Sequence, residues 1–142
     1  ALFTKLERLL QANREVNGRL LDGKADRSTG KELQVYGDAN LLTLALINLI
    51  RNALQAVEGQ EDGIVRVDTC AGATGHLLII ITDNGPGIPP ERLSAIFTPF
   101  FSTKSGGSGI GLPISQRIMQ LHGGQLSVSS IPNVRTEFRM EF

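Results

Sequence analysis

The strongest constraint on the fold is a nearly continuous run of aliphatic, largely β-branched residues, HLLIIITD, at positions 76–83. A run of this kind is expected for a strand at the centre of a sheet. The segment before it, IVRVDTCA at 64–71, alternates apolar and polar residues and predicts a second strand. The chain is therefore expected to contain a sheet with a buried central strand.

Helical and strand patterns surround these two strands. The segment after Asp38, a suitable N-cap, predicts a helix over about 40–58. Further helices are expected near 3–15, in PPERLSAIF (89–97) with prolines at its start, and over about 110–122. Further strands are expected within VNGRLLDGKA (16–25), ELQVYGD (32–38), QLSVSS (125–130) and TEFRMEF (136–142). The sum is an α/β two-layer sandwich, a mixed sheet of about five strands with about three main helices on one face.

Composition and charge exclude several classes of protein. The length of 142 residues suits one domain, 1–142, and 41% hydrophobic residues with 20% charged residues is a globular composition. Fourteen basic and fourteen acidic residues leave no net positive charge for nucleic acid. The apolar runs are shorter than the roughly 18 residues that span a bilayer. The single cysteine, Cys70, excludes an internal disulfide and fits a reducing compartment. Because Ala1 replaces an initiator Met, we expect a soluble piece of a longer chain.

Two asparagines, Asn48 and Asn52, lie four residues apart on one face of the expected helix 40–58, beside its apolar stripe. They are expected at the rim of the core, where an amide is costly unless its hydrogen bonds are satisfied. Either they bridge neighbouring elements or they belong to a site, and the helix alone does not decide between the two.

The segment DNGPGI, 83–88, follows the most apolar strand. Asn-Gly is a strong hairpin signal, but a helix and not a returning strand is expected to follow. Gly85 and Gly87 let the backbone come close to a ligand. Asp83, when ionised, only accepts hydrogen bonds. In an apolar pocket such an acceptor suits an exocyclic amine, as in adenine, and repels a carbonyl.

A glycine-rich segment, SGGSGIGLPIS at 105–115, reads directly into the helix expected from 110. A Ser/Gly linker is the ordinary interpretation. However, Gly107, Gly109 and Gly111 leave backbone N–H groups bare at a helix N-terminus, which is an anion site. The spacing matches neither a P-loop nor a dinucleotide fingerprint. We therefore expect this segment to hold phosphate.

Taken in series, these segments resemble a known family. NLIRNA (48–53), DNGPGI, FTPFFSTK (97–104) and GSGIGLPIS (107–115) look like the N, G1, F and G2 boxes of the catalytic ATP-binding domain of sensor histidine kinases, with HGGQLSV (122–128) as the usual continuation. The superfamily includes DNA gyrase, MutL and heat-shock chaperone ATPases. The resemblance covers nearly the whole chain and implies the Bergerat ATP-binding fold. FTPFFSTK and the short lid are most similar to the nitrogen-regulation and flagellar-regulation subgroup.

The resemblance implies roles for four residues. Asn52 would give its side-chain carbonyl to Mg²⁺, which bridges phosphate oxygens and keeps its other waters. Related ATPases carry Glu at the position of Asn48, and an amide cannot act as a general base. Catalysis would then be positioning and charge neutralisation. Arg51 would supply a charge at the phosphates in place of the family's usual Lys one turn after Asn52, and Lys104 would swing towards them.

The boxes also imply an ATP-binding set. Its members are Asn48, Asn52, Asp83, Gly85, Gly87, Ile88, Phe97, Lys104, Gly107, Ser108, Gly109, Ile110, Gly111, Leu112 and Thr136. Near the end, the family's G-x-G-T-x-F appears as NVRTEF (133–138), in which Asn133 tolerates a left-handed turn and Thr136 supports Asp83. We expect the lid, 97–107, to be mobile without nucleotide, with Phe97 and Phe100 packed on the domain.

The implied function is binding of Mg²⁺-ATP and transfer of its γ-phosphate to a histidine on a separate dimerisation and phosphoacceptor domain. His76 and His122 are expected to be structural, His122 as a cation at a helix C-terminus. The implied partners are that domain and a response regulator, in a cytoplasmic homodimer that is soluble or membrane-anchored, while the fragment itself is monomeric and contacts no membrane. Two alternatives are a nucleotide-binding interaction module without phosphotransfer and a gyrase-type ATPase, the latter disfavoured by Asn48.

Overall fold

The computed structural model describes residues 21–25, 37–71, 76–99 and 111–142. Eight elements follow one another along these residues. They are β1 (Leu21–Ala25), α1 (Ala39–Ala56), β2 (Val65–Ala71), β3 (Leu77–Asp83), α2 (Pro90–Leu93), α3 (Gly111–Leu121), β4 (Gln125–Ile131) and β5 (Arg135–Glu141). The helix expected near 3–15 and the strand expected at 32–36 lie outside the described residues, and Gly37 and Asp38 are not in a strand.

The strands form one mixed sheet in the order β1-β2-β3-β5-β4. β1 runs parallel to β2, and every other neighbouring pair is antiparallel. The apolar run at 77–83 is the central strand, as its sequence predicts. At its end, Asp83 is paired with Val65 of β2 on one side and with Thr136 of β5 on the other.

Helices α1 and α3 pack against each other and form one layer over the sheet, α1 on β2 and β3 and α3 on β4. Alternate residues of β3 are buried, as expected when one face of a strand is covered. Leu49 of α1, Met119 of α3 and Met140 of β5 are among the fully buried side chains of this interface. The predicted α/β two-layer sandwich with a mixed five-stranded sheet is confirmed. Within the described residues, no helix is long and apolar enough to cross a membrane.

Asp38 begins α1 as its sequence predicts. The carboxylate Oδ1 accepts hydrogen bonds from the N–H groups of Asn40 at 2.9 Å and Leu41 at 3.1 Å, which have no partner inside the helix. The backbone N–H of Asp38 donates to His122 Nε2 at 3.0 Å, while His122 Nδ1 lies 2.7 Å from the carbonyl oxygen of Ile118. Both ring nitrogens therefore hold backbone groups, and the expected structural role of His122 is confirmed.

The expected charge on His122 is wrong for this arrangement. Nε2 needs its lone pair to accept the Asp38 N–H, so Nδ1 carries the hydrogen donated to Ile118 and the ring is neutral. This contact also joins the C-terminal end of α3 to the N-terminal end of α1. The two helices therefore run antiparallel, and the beginning of α3 lies beside the middle of α1.

Candidate nucleotide-binding site

Asp83 is a carboxylate at the end of the central strand with only 3% of its surface exposed. Its Oδ1 accepts a hydrogen bond from the backbone N–H of Gly85 at 2.9 Å. Carboxylates are rarely so buried, because removing the charge from water is unfavourable unless hydrogen bonds replace the lost solvation. The strand thus ends in a buried hydrogen-bond acceptor that the following loop helps to hold.

The loop after Asp83 does not form a hairpin, in agreement with the sequence-based expectation. Asn84 binds the segment before β2: its Oδ1 accepts from Ile64 N–H at 2.7 Å and its Nδ2 donates to the carbonyl oxygen of Asp62 at 2.8 Å. Gln60 Nε2 donates to the carbonyl oxygen of Asn84 at 3.0 Å. The asparagine that suggests a turn is therefore a crosslink, a role for which the sequence contains no signal.

Gly85 and Gly87 are required by the protein's own backbone. A Cβ on Gly85 would lie 2.8 Å from the carbonyl oxygen of Ala56, at the end of α1, and 2.9 Å from Asp83 Oδ1. Gly87 has φ of +78°, and a Cβ there would lie 2.9 Å from Pro132 Cα. Close approach of a ligand is the reason that the sequence suggests, but internal packing already excludes side chains at both positions.

A chain of hydrogen bonds connects this loop to β5. Ile88 N–H donates to Ser130 Oγ at 2.8 Å, and Ser130 Oγ lies 3.0 Å from Thr136 Oγ1. Thr136 is buried and is the direct β5 neighbour of Asp83. The structure thus brings together Ile88, Thr136 and Asp83, three residues of the predicted ATP-binding set. Ser130 joins them but is not among the predicted site residues, since nothing distinguishes it from the other serines of QLSVSS.

The turn between β4 and β5 has the shape that its sequence predicts. Asn133 has φ of +61°, in the left-handed region that asparagine tolerates. Its N–H donates to the carbonyl oxygen of Pro86 at 2.7 Å. The turn therefore holds the loop after Asp83 through a backbone hydrogen bond.

The first turn of α3 lies against α1. Asn48 Nδ2 lies 3.5 Å from the carbonyl oxygen of Gly111, at the long limit for a hydrogen bond. The hydroxyl of Ser115, which is fully buried, lies 2.9 Å from the same oxygen and 3.3 Å from the carbonyl oxygen of Ala45. Asn48 is thus beside the helix N-terminus at which the sequence predicts phosphate.

The other predicted residues divide into described and undescribed positions. Asn52 is half-buried, one turn from the C-terminal end of α1 that Gly85 approaches, while Arg51 is exposed. Phe97 and Leu112 are partly buried and pack against the core. The prediction that Phe97 packs on the domain is confirmed. Lys104, Gly107, Ser108, Gly109 and Ile110, together with Phe100, lie outside the described residues. Their roles and the mobility of the lid stay predictions.

Solved catalytic domains of histidine kinases share this mixed sheet with helices packed on one face. The catalytic domain of the histidine kinase ThkA, in a nucleotide-free form, matches with a TM-score of 0.77 and 27% identity over 99% of this chain and 90% of that one. Full-length ShkA in complex with AMPPNP matches with a TM-score of 0.79 and 26% identity over 99% of this chain and 28% of that one.

The chain belongs to the histidine kinase-, DNA gyrase B- and HSP90-like ATPase family, whose model matches residues 37–142. Sensor histidine kinase ZraS of Salmonella typhimurium is 42% identical over 98 residues, which are 69% of this chain and 21% of that protein. The chain therefore spans about a fifth of the length of that curated relative. The resemblance to the catalytic domain of sensor histidine kinases is confirmed.

Proposed function

We propose that this domain binds Mg²⁺-ATP and presents the γ-phosphate to a histidine on a separate dimerisation and phosphoacceptor domain of a longer sensor kinase. The observation that carries the proposal is Asp83, 3% exposed, at the end of the central strand and beside Thr136. An ionised carboxylate only accepts hydrogen bonds, so this position favours the amino group of adenine over the carbonyl group of guanine. The similar protein ShkA is described in complex with AMPPNP, an adenine nucleotide analogue, which supports the same ligand class here.

The magnesium ion would arrive with the nucleotide. Within the described residues, no group of three or more His, Cys, Asp or Glu side chains could hold a metal ion. Mg²⁺ commonly keeps several waters and takes phosphate oxygens with one or two protein ligands. This donor set fits a single neutral ligand, the carbonyl of half-buried Asn52 on α1. When bound, the ion would neutralise phosphate charge.

The residues of the chain would act by positioning. The N-terminus of α3, where Gly111 lies beside Asn48, would receive phosphate on backbone N–H groups. Asn48 is neutral and its Nδ2 is directed to the carbonyl oxygen of Gly111, so it is suited to orienting groups and not to removing a proton from water. Arg51 and Lys104 would supply the positive charge. The P–O bond to ADP would then break as a P–N bond forms to the neutral imidazole of the acceptor.

In the full protein we propose a cytoplasmic homodimer that passes the phosphoryl group on to a response regulator. The described histidines do not suit the acceptor role. His122 uses both ring nitrogens on backbone groups. His76 is exposed immediately before β3, whereas the candidate site for the nucleotide base, formed by Asp83, Ile88 and Thr136 and called the candidate base site below, lies at the other end of that strand. Transfer therefore requires a second domain.

The test incubates the chain with Mg²⁺ and γ-labelled ATP, with and without the cognate dimerising helices. We expect calorimetry to show nucleotide binding, no acid-labile phosphate on the chain itself, and slow labelling of the added helices. Transfer is expected to be slow because separate molecules lack the effective concentration, on the order of millimolar, that a short linker provides. Binding without transfer to the added domain would instead favour a nucleotide-sensing interaction module. Phosphohistidine on the chain would contradict the proposed division of roles.

A further inference from the structure

Ser130 connects three parts of the candidate base site. Its hydroxyl oxygen accepts from Ile88 N–H at 2.8 Å, lies 3.0 Å from Thr136 Oγ1, and lies 3.1 Å from the carbonyl oxygen of Arg135. A Cβ added to Gly87 would lie 3.1 Å from the same oxygen, so the loop backbone passes directly over this serine. Ser130 is therefore packed between the loop that follows Asp83 and the strand that carries Thr136.

Ser130 can donate only one hydrogen bond, although its hydroxyl lies near two possible acceptors, the carbonyl oxygen of Arg135 and Thr136 Oγ1. The serine has one hydroxyl hydrogen, and the Ile88 N–H already occupies one of its lone pairs. If Ser130 donates to Arg135, the hydrogen bond with Thr136 requires Thr136 to donate to Ser130. If Ser130 donates to Thr136, the hydrogen of Thr136 is released for a group on its other side. The direction of the Thr136 hydroxyl, next to Asp83, is therefore coupled to the direction in which Ser130 donates its single hydrogen.

We propose that Ser130 is a positioning residue for recognition of the nucleotide base. It holds Ile88 and the loop in place and directs the Thr136 hydroxyl beside the Asp83 carboxylate, without contacting the nucleotide itself. This inference rests on the proposed binding of an adenine nucleotide at Asp83. One side chain of β4 would then connect the position of the loop after Asp83 to selectivity for the nucleotide base.

The experiment measures the dissociation constants of ADP and of purine riboside 5′-diphosphate, which lacks the 6-amino group, for the 142-residue chain. The ratio of the two constants reports selectivity for the amino group, and a general loosening of the loop would weaken both ligands equally. For Ser130→Ala we expect ADP affinity to fall about tenfold and the affinity for the unsubstituted purine to fall less than about threefold. Ser130→Thr keeps a hydroxyl and should restore selectivity. Ser129→Ala, the same change at the exposed neighbouring position, is the matched control and should leave both constants unchanged.

A double-mutant cycle tests whether Ser130 acts through Thr136. If it does, Ser130→Ala in a Thr136→Val background should cause no further loss of selectivity. Additive losses of selectivity, or a Ser130→Ala variant with the selectivity of the unaltered chain, would overturn the inference while leaving ATP binding intact. If the unaltered chain binds neither ligand, or binds both equally, the proposed base site fails and this inference fails with it. Thermal unfolding of each variant separates misfolding from a change in recognition.

Discussion

Replacing Asp83 by Asn separates recognition of the nucleotide base from folding more cleanly than replacing it by Ala would. The substitution conserves the shape of the side chain. It keeps one oxygen that can accept from Gly85 N–H, a hydrogen bond of 2.9 Å in the unaltered chain, but it replaces the other carboxylate oxygen by an amide group that donates. Loss of a hydrogen bond to a charged group is worth about 1.5–3 kcal/mol. We therefore expect the dissociation constant for ATP to rise by one to two decades. Relative affinity for GTP should improve, because its 6-carbonyl can accept from the new amide.

The free energy of unfolding should change much less in Asp83→Asn than the affinity for ATP does. Asp83 is 3% exposed, so removing its charge also removes an unfavourable desolvation that offsets part of any lost hydrogen bonding. Calorimetric titration with ATP and GTP, together with urea unfolding, measures both effects. Asp62→Asn is the matched control, since that exposed aspartate contributes its backbone carbonyl and not its carboxylate to the bond with Asn84. An ATP affinity within threefold of the unaltered chain, with ATP still preferred to GTP, would refute the assignment of Asp83.

Four further predictions address the metal ligand, the loop after Asp83, the core and the absence of a general base at position 48. Asn52→Ala should remove most of the Mg²⁺-dependent part of ATP affinity, and calorimetry with and without Mg²⁺ would contradict the metal role if that part stayed. Gly87→Ala should lower the free energy of unfolding more than Gly59→Ala does: both have positive φ, worth about 1–2 kcal/mol, but only Gly87 has a backbone neighbour within 3 Å. Equal urea midpoints would exclude the collision. Thr69→Val should raise the free energy of unfolding by about 1 kcal/mol, because Thr69 Oγ1 is buried and has no hydrogen-bond partner among the described residues; an unchanged or lower midpoint would argue against that penalty. Asn48→Glu should increase ATP hydrolysis, measured as phosphate release, more than transfer to added acceptor helices, and a variant that hydrolyses no faster would remove the argument from the missing base.

Local sequence patterns predict two kinds of feature: fully buried strands, and helix ends that are stabilised by hydrogen bonds between near neighbours in the chain. The apolar run that ends at Asp83 is the central strand, and Asp38 caps α1 through its side chain. These features depend on propensity, periodicity and hydrogen bonds between near neighbours in the chain. The short helix within 89–97 is confirmed as α2, although it spans only Pro90–Leu93. The parallel pairing of β1 with β2, by contrast, is a long-range choice that alternation cannot specify.

The contacts that organise the site were less accessible to sequence reasoning. Ser130 and Asn84 owe their roles to partners 42 and 20 residues away, Ile88 and Ile64. A serine or asparagine that forms such a crosslink has the same identity as one at a solvated turn. The neutral form of His122 likewise depends on the N–H of Asp38, 84 residues earlier in the chain. Only the packing of the elements decides between these possibilities.

The two sides of the candidate site differ in how they are built. On the base side, Asp83 is held by Gly85, and Ile88 is held to Thr136 through Ser130, so the contacts that define the acceptor are made by the protein itself. A recognition site arranged before binding loses less conformational freedom when the ligand arrives. The proposed phosphate side depends on backbone N–H groups at the start of α3 and on charges that include Lys104. If the lid orders only with nucleotide, selectivity for the base would be set by the folded domain, and the phosphates would contribute binding energy together with the closing of the lid.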